Sequence, residues 1–334
     1  MTSAIRRGYG GVQMYAQQPE QATQARVSVT MLGRFAVQGD TTARTRLEGR
    51  KVQELMSYLL LNRAKPNRRE IVADALWGTT DATQSRKYLR QALWELHGAL
   101  DGDTRSDAAV LLIDPTWIEV NPAADLWLDV AEIEHAFDAA RGTAGEDLDP
   151  DLAAMLARAV ELYRGDLLEG WYQDWCLFER ERLRTMYVMT VEKLLAYHEI
   201  HGQLDEGFAC GERILRHDRA HERTHWRLMR LRYVGGDRTG AMRQYDACVA
   251  ALREELDVAP SDRTTSLYEL IRSDDAAVAT RTPPSAGRSS RQLVRTPTDA
   301  AQPDAATEPL EQALAALIRA ERLVGESLRA LRSD

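Results

Sequence analysis

Lys87 and Gln91 stand one helical turn apart in ATQSRKYLRQALWELHGAL, residues 82–100. A lysine ammonium bonds the O6 and N7 acceptors of guanine, and a glutamine amide pairs bidentately with N6 and N7 of adenine. That spacing lets both side chains reach successive base edges from one helix face. On a wheel at ~100° per residue, Gln84, Lys87, Gln91 and Trp94 share this face, with Tyr88 and Arg90 at its edges. Leu89, Leu93, Leu96 and Leu100 fall on the opposite side. Such a helix packs with its leucines. It offers hydrogen-bonding, cationic and aromatic groups to an anionic partner, for which DNA is the leading candidate. A solvated helix face is the plain alternative.

Arg86 and Arg90 flank the reading face and suit phosphates, which position a protein without specifying sequence. Arg50 and Lys51 open an earlier helix, where cations and free backbone N–H groups meet a phosphate together. Thr116 sits at a hairpin tip suited to an adjoining minor groove, while the neighbouring Trp117 is expected to fold back onto the core. Trp94 points outward, which is uncommon unless a partner covers the ring. A thymine methyl, a deoxyribose or polymerase would serve, and contact with a following helical domain is the bland alternative.

The sequence offers little to catalysis. It has no GxxxxGK[ST] phosphate loop, no HExxH and no GxSxG. No enzyme, and no cofactor, is expected. His217, His221 and His225 have the spacing of a metal site only on one continuous helix. That helix is expected to break within RHDRAHERTH, so no metal is expected. Cys176, Cys210 and Cys248 lie far apart with no CxxC pair, reading as buried free thiols of a reducing cytosol.

The elements that must position these residues follow from pattern and charge. A chain of 334 residues with 44% hydrophobic content fits two domains with tails. The net charge of −8 argues against a wholly basic nucleic-acid coat protein. Between Arg44 and Arg90, however, 11 Lys/Arg face 5 Asp/Glu, a local basic excess on an acidic chain. No run approaches 18 apolar residues, so no membrane span is expected, and the first 25 residues read as a flexible tail without a signal-peptide core.

VSVTMLGRFAVQGD alternates as one or two strands. Leu55, Met56, Leu59 and Leu60 mark a helix over about 50–62, and Asn67 with Glu70 has the spacing of a capped helix through Trp77. Asp81 with Gln84 repeats that spacing before 82–100. AVLLIDPTWIEVNP reads as a hairpin turning at Asp114-Pro115. Strands, three helices and a hairpin make a winged helix, residues 26–125, in which the third helix reads DNA. From Leu126 to 273 the chain reads as helical. Gly202 and Gly236 lie 34 residues apart in similar surroundings, the period of a tetratricopeptide helical repeat. The fold expected is mainly α with a small β component. Residues 274–309 read as a Pro/Ser/Thr/Ala-rich disordered linker, and 310–332 as an amphipathic helix. Leu310, Leu314, Leu317, Glu321, Val324, Leu328 and Leu331 in that helix keep coiled-coil spacing.

MSYLLLNR and IVADALWG, LYRGDLLEGWYQDWCLFERERL, and the stretch from HDRAHERTHW to the Glu255, Leu256, Pro260, Ser261 close occur in one order. In this the chain resembles the SARP family of bacterial transcriptional activators over about 27–272. The resemblance implies an OmpR-type winged helix joined to a tetratricopeptide-like bacterial transcriptional activator domain. It implies promoter DNA and RNA polymerase as partners and a homodimer at least on DNA. The sequence departs from the family where a basic run normally ends the recognition helix. Trp94, Glu95, Leu96, His97 and Gly98 stand there, which implies weaker or differently directed DNA contact. The expected function is a cytoplasmic, sequence-specific activator that binds promoter DNA and recruits polymerase. The rivals are a protein-binding scaffold and a regulator gated by an unidentified small molecule.

Overall fold

The alternating segment after Arg26 forms two short strands, β1 (Val27–Thr30) and β2 (Ala36–Gly39), paired antiparallel. Then come α1 (Arg50–Leu61), β3 (Asn67–Arg68), α2 (Arg69–Trp77), α3 (Ala82–Leu100), β4 (Leu111–Ile113), β5 (Trp117–Val120) and β6 (Leu126–Leu128). The helical part runs through α4 (Asp129–Ala139), α5 (Pro150–Leu162), α6 (Asp174–Ile200), α7 (Leu204–His217), α8 (Glu222–Val234), α9 (Arg238–Leu256) and α10 (Asp262–Ser273). The computed structural model describes residues 27–39, 47, 49–100 and 109–273. The expected tail 1–25, linker 274–309 and helix 310–332 lie outside the described residues.

α1 buries Val52, Leu55, Met56, Leu59 and Leu60, the stripe its spacing predicts. α3 does the same with Leu89, Leu93, Leu96 and Leu100. Each such burial contributes about 1.5–3 kcal/mol. Beside these helices β3, β5 and β4 form a sheet in that order, β5 antiparallel to both neighbours. Three helices closed by this hairpin are the architecture that the order of elements predicts.

Two readings need correction. Asn67 does not cap a helix. It pairs with Ile118 in the sheet, and its side-chain amide donates to the carbonyls of Asn62 (3.2 Å) and Lys65 (3.1 Å). The sheet pairing holds Asn67 extended, so α2 starts two residues later at Arg69. Leu126–Leu128, expected to be helical, is a strand lying parallel to β1, Val27 opposite Leu126. An open sheet edge beside an apolar Leu-Trp-Leu segment overrides helix propensity there.

That pairing joins the first sheet to the start of the helical part. The Asp129 carboxylate accepts the backbone N–H groups of Met31 (2.7 Å) and Leu32 (2.8 Å). Burial pushes this carboxyl up to about 6, against the pull of those hydrogen bonds. Leu168 N–H donates to Met31 O at 2.8 Å, and Gly33 N–H to Asp166 O at 2.9 Å.

The 34-residue period is visible in the hydrogen bonds themselves. Gln203 N–H donates to His198 O (2.9 Å), and Asp237 N–H to Arg232 O (2.8 Å), each closing a helix over a glycine. Gly202 (φ 68°) and Gly236 (φ 84°) are left-handed, which a side chain would strain. A Cβ on Gly211 would sit 2.5 Å from Leu228, so α7 and α8 approach more closely than side chains at 211 allow. The three thiols are buried. Burial raises Cys176 and pushes Cys210 up to about 11 and Cys248 up to about 12, so all three stay protonated.

Candidate nucleic-acid interface

Asp81 starts α3. Its carboxylate accepts the N–H groups of Thr83 (2.9 Å) and Gln84 (3.0 Å), the cap that the sequence predicts. Ser85 is buried beneath. Its hydroxyl donates to Trp77 O (3.0 Å) and lies 2.8 Å from the Thr80 hydroxyl, which fixes the start of α3 on the end of α2.

The outer face emerges where the wheel puts it. Lys87, Tyr88, Arg90, Gln91 and Trp94 are exposed, and Gln84 is half-buried. Trp94 is 78% exposed, so among the described residues nothing covers its ring. Gln91 Nε2 donates to Glu95 Oε1 (3.0 Å), which orients the amide and leaves its oxygen outward. Arg86 pairs with Glu70 at 3.0 Å. Both are more than half exposed, and such a pair is worth about 0–1 kcal/mol, too little to hold Arg86 from a phosphate. Lys87 and Arg90 have no acidic partner among the described residues.

The hairpin tip is set by Asp114, whose Oδ1 accepts the N–H groups of Thr116 (2.6 Å) and Trp117 (2.7 Å). Those bonds hold its carboxyl below the usual range. Thr116 is exposed as expected. Trp117 does not fold into the core. It is 40% exposed, with the Arg68 guanidinium 5.8 Å from its ring centre.

Arg68 and Arg69 are the residues that sequence reasoning missed. Arg69 Nη1 donates to Asp114 O (3.1 Å), so it stands between α2 and the hairpin. There it lines a groove of about 580 Å³ with Glu70, Arg86, Arg90 and Pro115. The Arg-Arg doublet was legible, but the helix start assigned to Asn67 hid its place at the true N-terminus of α2.

Arg50 and Lys51 are placed differently. Arg50 Nε (3.2 Å) and Lys51 Nζ (2.8 Å) both reach Glu54, a carboxylate only 2% exposed. The structure therefore brings together the residues of α3, with Thr116 exposed on the neighbouring hairpin, while Arg50 and Lys51, about half exposed, are bonded to Glu54.

The three histidines fall on separate segments: His217 ends α7, His221 precedes α8 and His225 lies within it. His225 is buried, bonded to Arg219 O and Gln244. No group of three metal-ligating side chains occurs among the described residues.

Residues 128–272 match the family model described as the bacterial transcriptional activator domain. The matched stretch begins at the last residue of β6 and takes in α4–α9 and α10 up to Arg272. A solved structure, "Mycobacterium tuberculosis EmbR in complex with low affinity phosphopeptide", is similar to the chain with a TM-score of 0.55 at 19% identity. The match covers 75% of this chain and 66% of that one, just under two thirds, and at this identity it shows the fold. No curated protein matches. Among the described residues no helix is long and apolar enough to cross a membrane.

Proposed function

We propose that this protein is a sequence-specific DNA-binding transcriptional activator. The observation that carries the reading is α3. Its leucine side is buried, and its exposed side offers Lys87, Arg90, Gln91 and Trp94 beside an arginine-lined groove. Lys87 and Gln91 read base edges in the major groove, with Gln84 and Trp94 at the ends of the contact. Arg86 and Arg90 take phosphates, joined by Arg68 and Arg69, and Thr116 approaches the adjoining minor groove. The winged helix spans 26–125 and the activator domain 126–273. The activator domain recruits RNA polymerase and pairs two protomers on DNA, in the cytoplasm and without enzymatic activity. The matched family is the support for this division of labour.

The test is binding of the full chain to duplex DNA followed against salt. A regulator loses affinity steeply as salt rises, and enrichment from a random pool yields one preferred sequence. Salt-insensitive, sequence-blind behaviour would leave the scaffold reading in its place.

A further inference from the structure

The buried carboxylate of Glu54 lies where α1 meets the helical domain. Arg50 and Lys51 reach it from its own helix, and Gln173 Nε2, 119 residues away, donates to its Oε1 at 2.7 Å. Gln173 is the N-cap residue of α6. The same seam holds Arg50 4.3 Å from the Trp171 ring centre and Tyr58 edge-on to Trp175 at 5.6 Å. Lys51 has a second task. Its ammonium donates to Leu76 O at 2.8 Å, in the last turn of α2, where the helix dipole favours a cation. One residue on, Trp77 O accepts from Ser85 of α3. A continuous polar path thus runs from Gln173 through Glu54, Lys51 and the end of α2 to the start of α3.

We infer that Glu54 is a positioning residue for the DNA-reading helix, and that Arg50 and Lys51 are fasteners of that path and not phosphate contacts. The inference rests on the DNA-binding reading. A buried carboxylate needs donors on all sides, and Glu54 has three cationic or amide groups converging on it. The two side chains are 51% and 49% exposed, and turning their charged ends outward to a phosphate would weaken the bonds that hold them to Glu54. Glu54→Gln keeps the shape, but its NH2 must face either the Lys51 ammonium or the Arg50 and Gln173 donors, so at least one bond of the path is lost.

The full chain is assayed by anisotropy on a random-sequence duplex and on a duplex enriched from a random pool by the wild type. Arg50→Ala and Lys51→Ala are expected to keep the wild-type salt slope. A fall of about one for either, the signature of a lost phosphate contact, overturns the assignment. Glu54→Gln is expected to lower the preference for the enriched duplex about tenfold, the size of typical coupling through packed elements. Mere loss of folded protein would weaken both duplexes equally, and unchanged preference overturns the inference. Should Glu54→Gln fail to fold, Gln173→Met removes the interdomain bond alone and is read the same way. A wild type that binds no DNA overturns the functional reading only. The fastening is then judged by thermal melting of the Glu54→Gln/Gln173→Met double variant: no lower than Glu54→Gln alone supports it, and additive lowering overturns it.

Discussion

α3 and α8 both carry several cations, yet they use them in opposite ways. In α8, Arg227 (2.7 Å) and Arg230 (3.1 Å) share the carboxylate of Glu199, which is 7% exposed, and Arg232 meets Asp237 at 3.5 Å. Arg230 and Arg263 both lie within reach of the Trp226 ring, at 5.9 and 4.2 Å. In α3, Lys87 and Arg90 stand exposed with no acid among the described residues facing them. The difference teaches that counting cations does not locate a polyanion site. What decides is the acid that faces each one. Where a buried carboxylate does, the cation is structural. Where none does, its charge is available to a partner.

The largest expected effect treats the two helices alike. Leu96 and Leu228, 0% and 2% exposed, form their undersides. Leu96→Ala and Leu228→Ala should each cost about 2–5 kcal/mol in denaturant unfolding. A cost under half of that at Leu228 would show that the repeat packs less tightly than Gly211 against Leu228 implies.

The upper faces should then part company. Glu199→Ala strands two arginines, one of them 13% exposed, and should cost about 2–4 kcal/mol of stability. Lys87→Ala and Gln91→Ala should leave the unfolding free energy within about 0.5 kcal/mol. On an enriched duplex each should instead cost about 1–3 kcal/mol and relax base preference. Arg90→Ala should weaken enriched and random duplexes together and lower the salt slope by about one. If the Lys87/Gln91 double variant binds like wild type, α3 is not the reading helix.

How much of this was legible in the sequence follows from the range of the interactions. The α3 faces are a local periodicity, and both the leucine stripe and the outward Trp94 read directly from it. The repeat was legible because a left-handed glycine is needed at the same point of each unit, Gly202 and Gly236. The place of Arg50 and Lys51 was half legible. Glu54 lies three and four residues on, within helical reach of both. Its burial under Gln173 is a contact across 119 residues that no local pattern carries. Trp117 was misjudged for a similar reason. Its alternation in β5 fixes the face it occupies, but not the Arg68 guanidinium set against it by strand pairing.

The smallest effect is a pH dependence confined to the helical region. His225 is 3% exposed. Its Nε2 lies 2.9 Å from Arg219 O, and its Nδ1 2.8 Å from Gln244 Nε2. A neutral ring satisfies both, with Nε2–H donating to the carbonyl and Nδ1 accepting from the amide. Protonation would set an N–H against the amide donor. Burial, aided by the nearby His221, holds the imidazole below its ordinary value of 6.5. A group depressed in the folded state lends stability above its unfolded pKa, and that stability is lost as pH falls through the folded value. This contribution lowers the melting temperature between about pH 7 and about pH 5, and it opposes that of Asp129, whose raised carboxyl takes up its proton in the folded state over the same window. His217 is also depressed, by burial and by Arg184, and contributes in the same direction. The test is accordingly a difference: His225→Asn should melt with a shallower pH slope than wild type over that window. Parallel slopes would mean that the acid sensitivity lies elsewhere. Lys87→Ala, on the other side of the comparison, should share the wild-type slope, because it leaves the surroundings of His225 and His217 untouched.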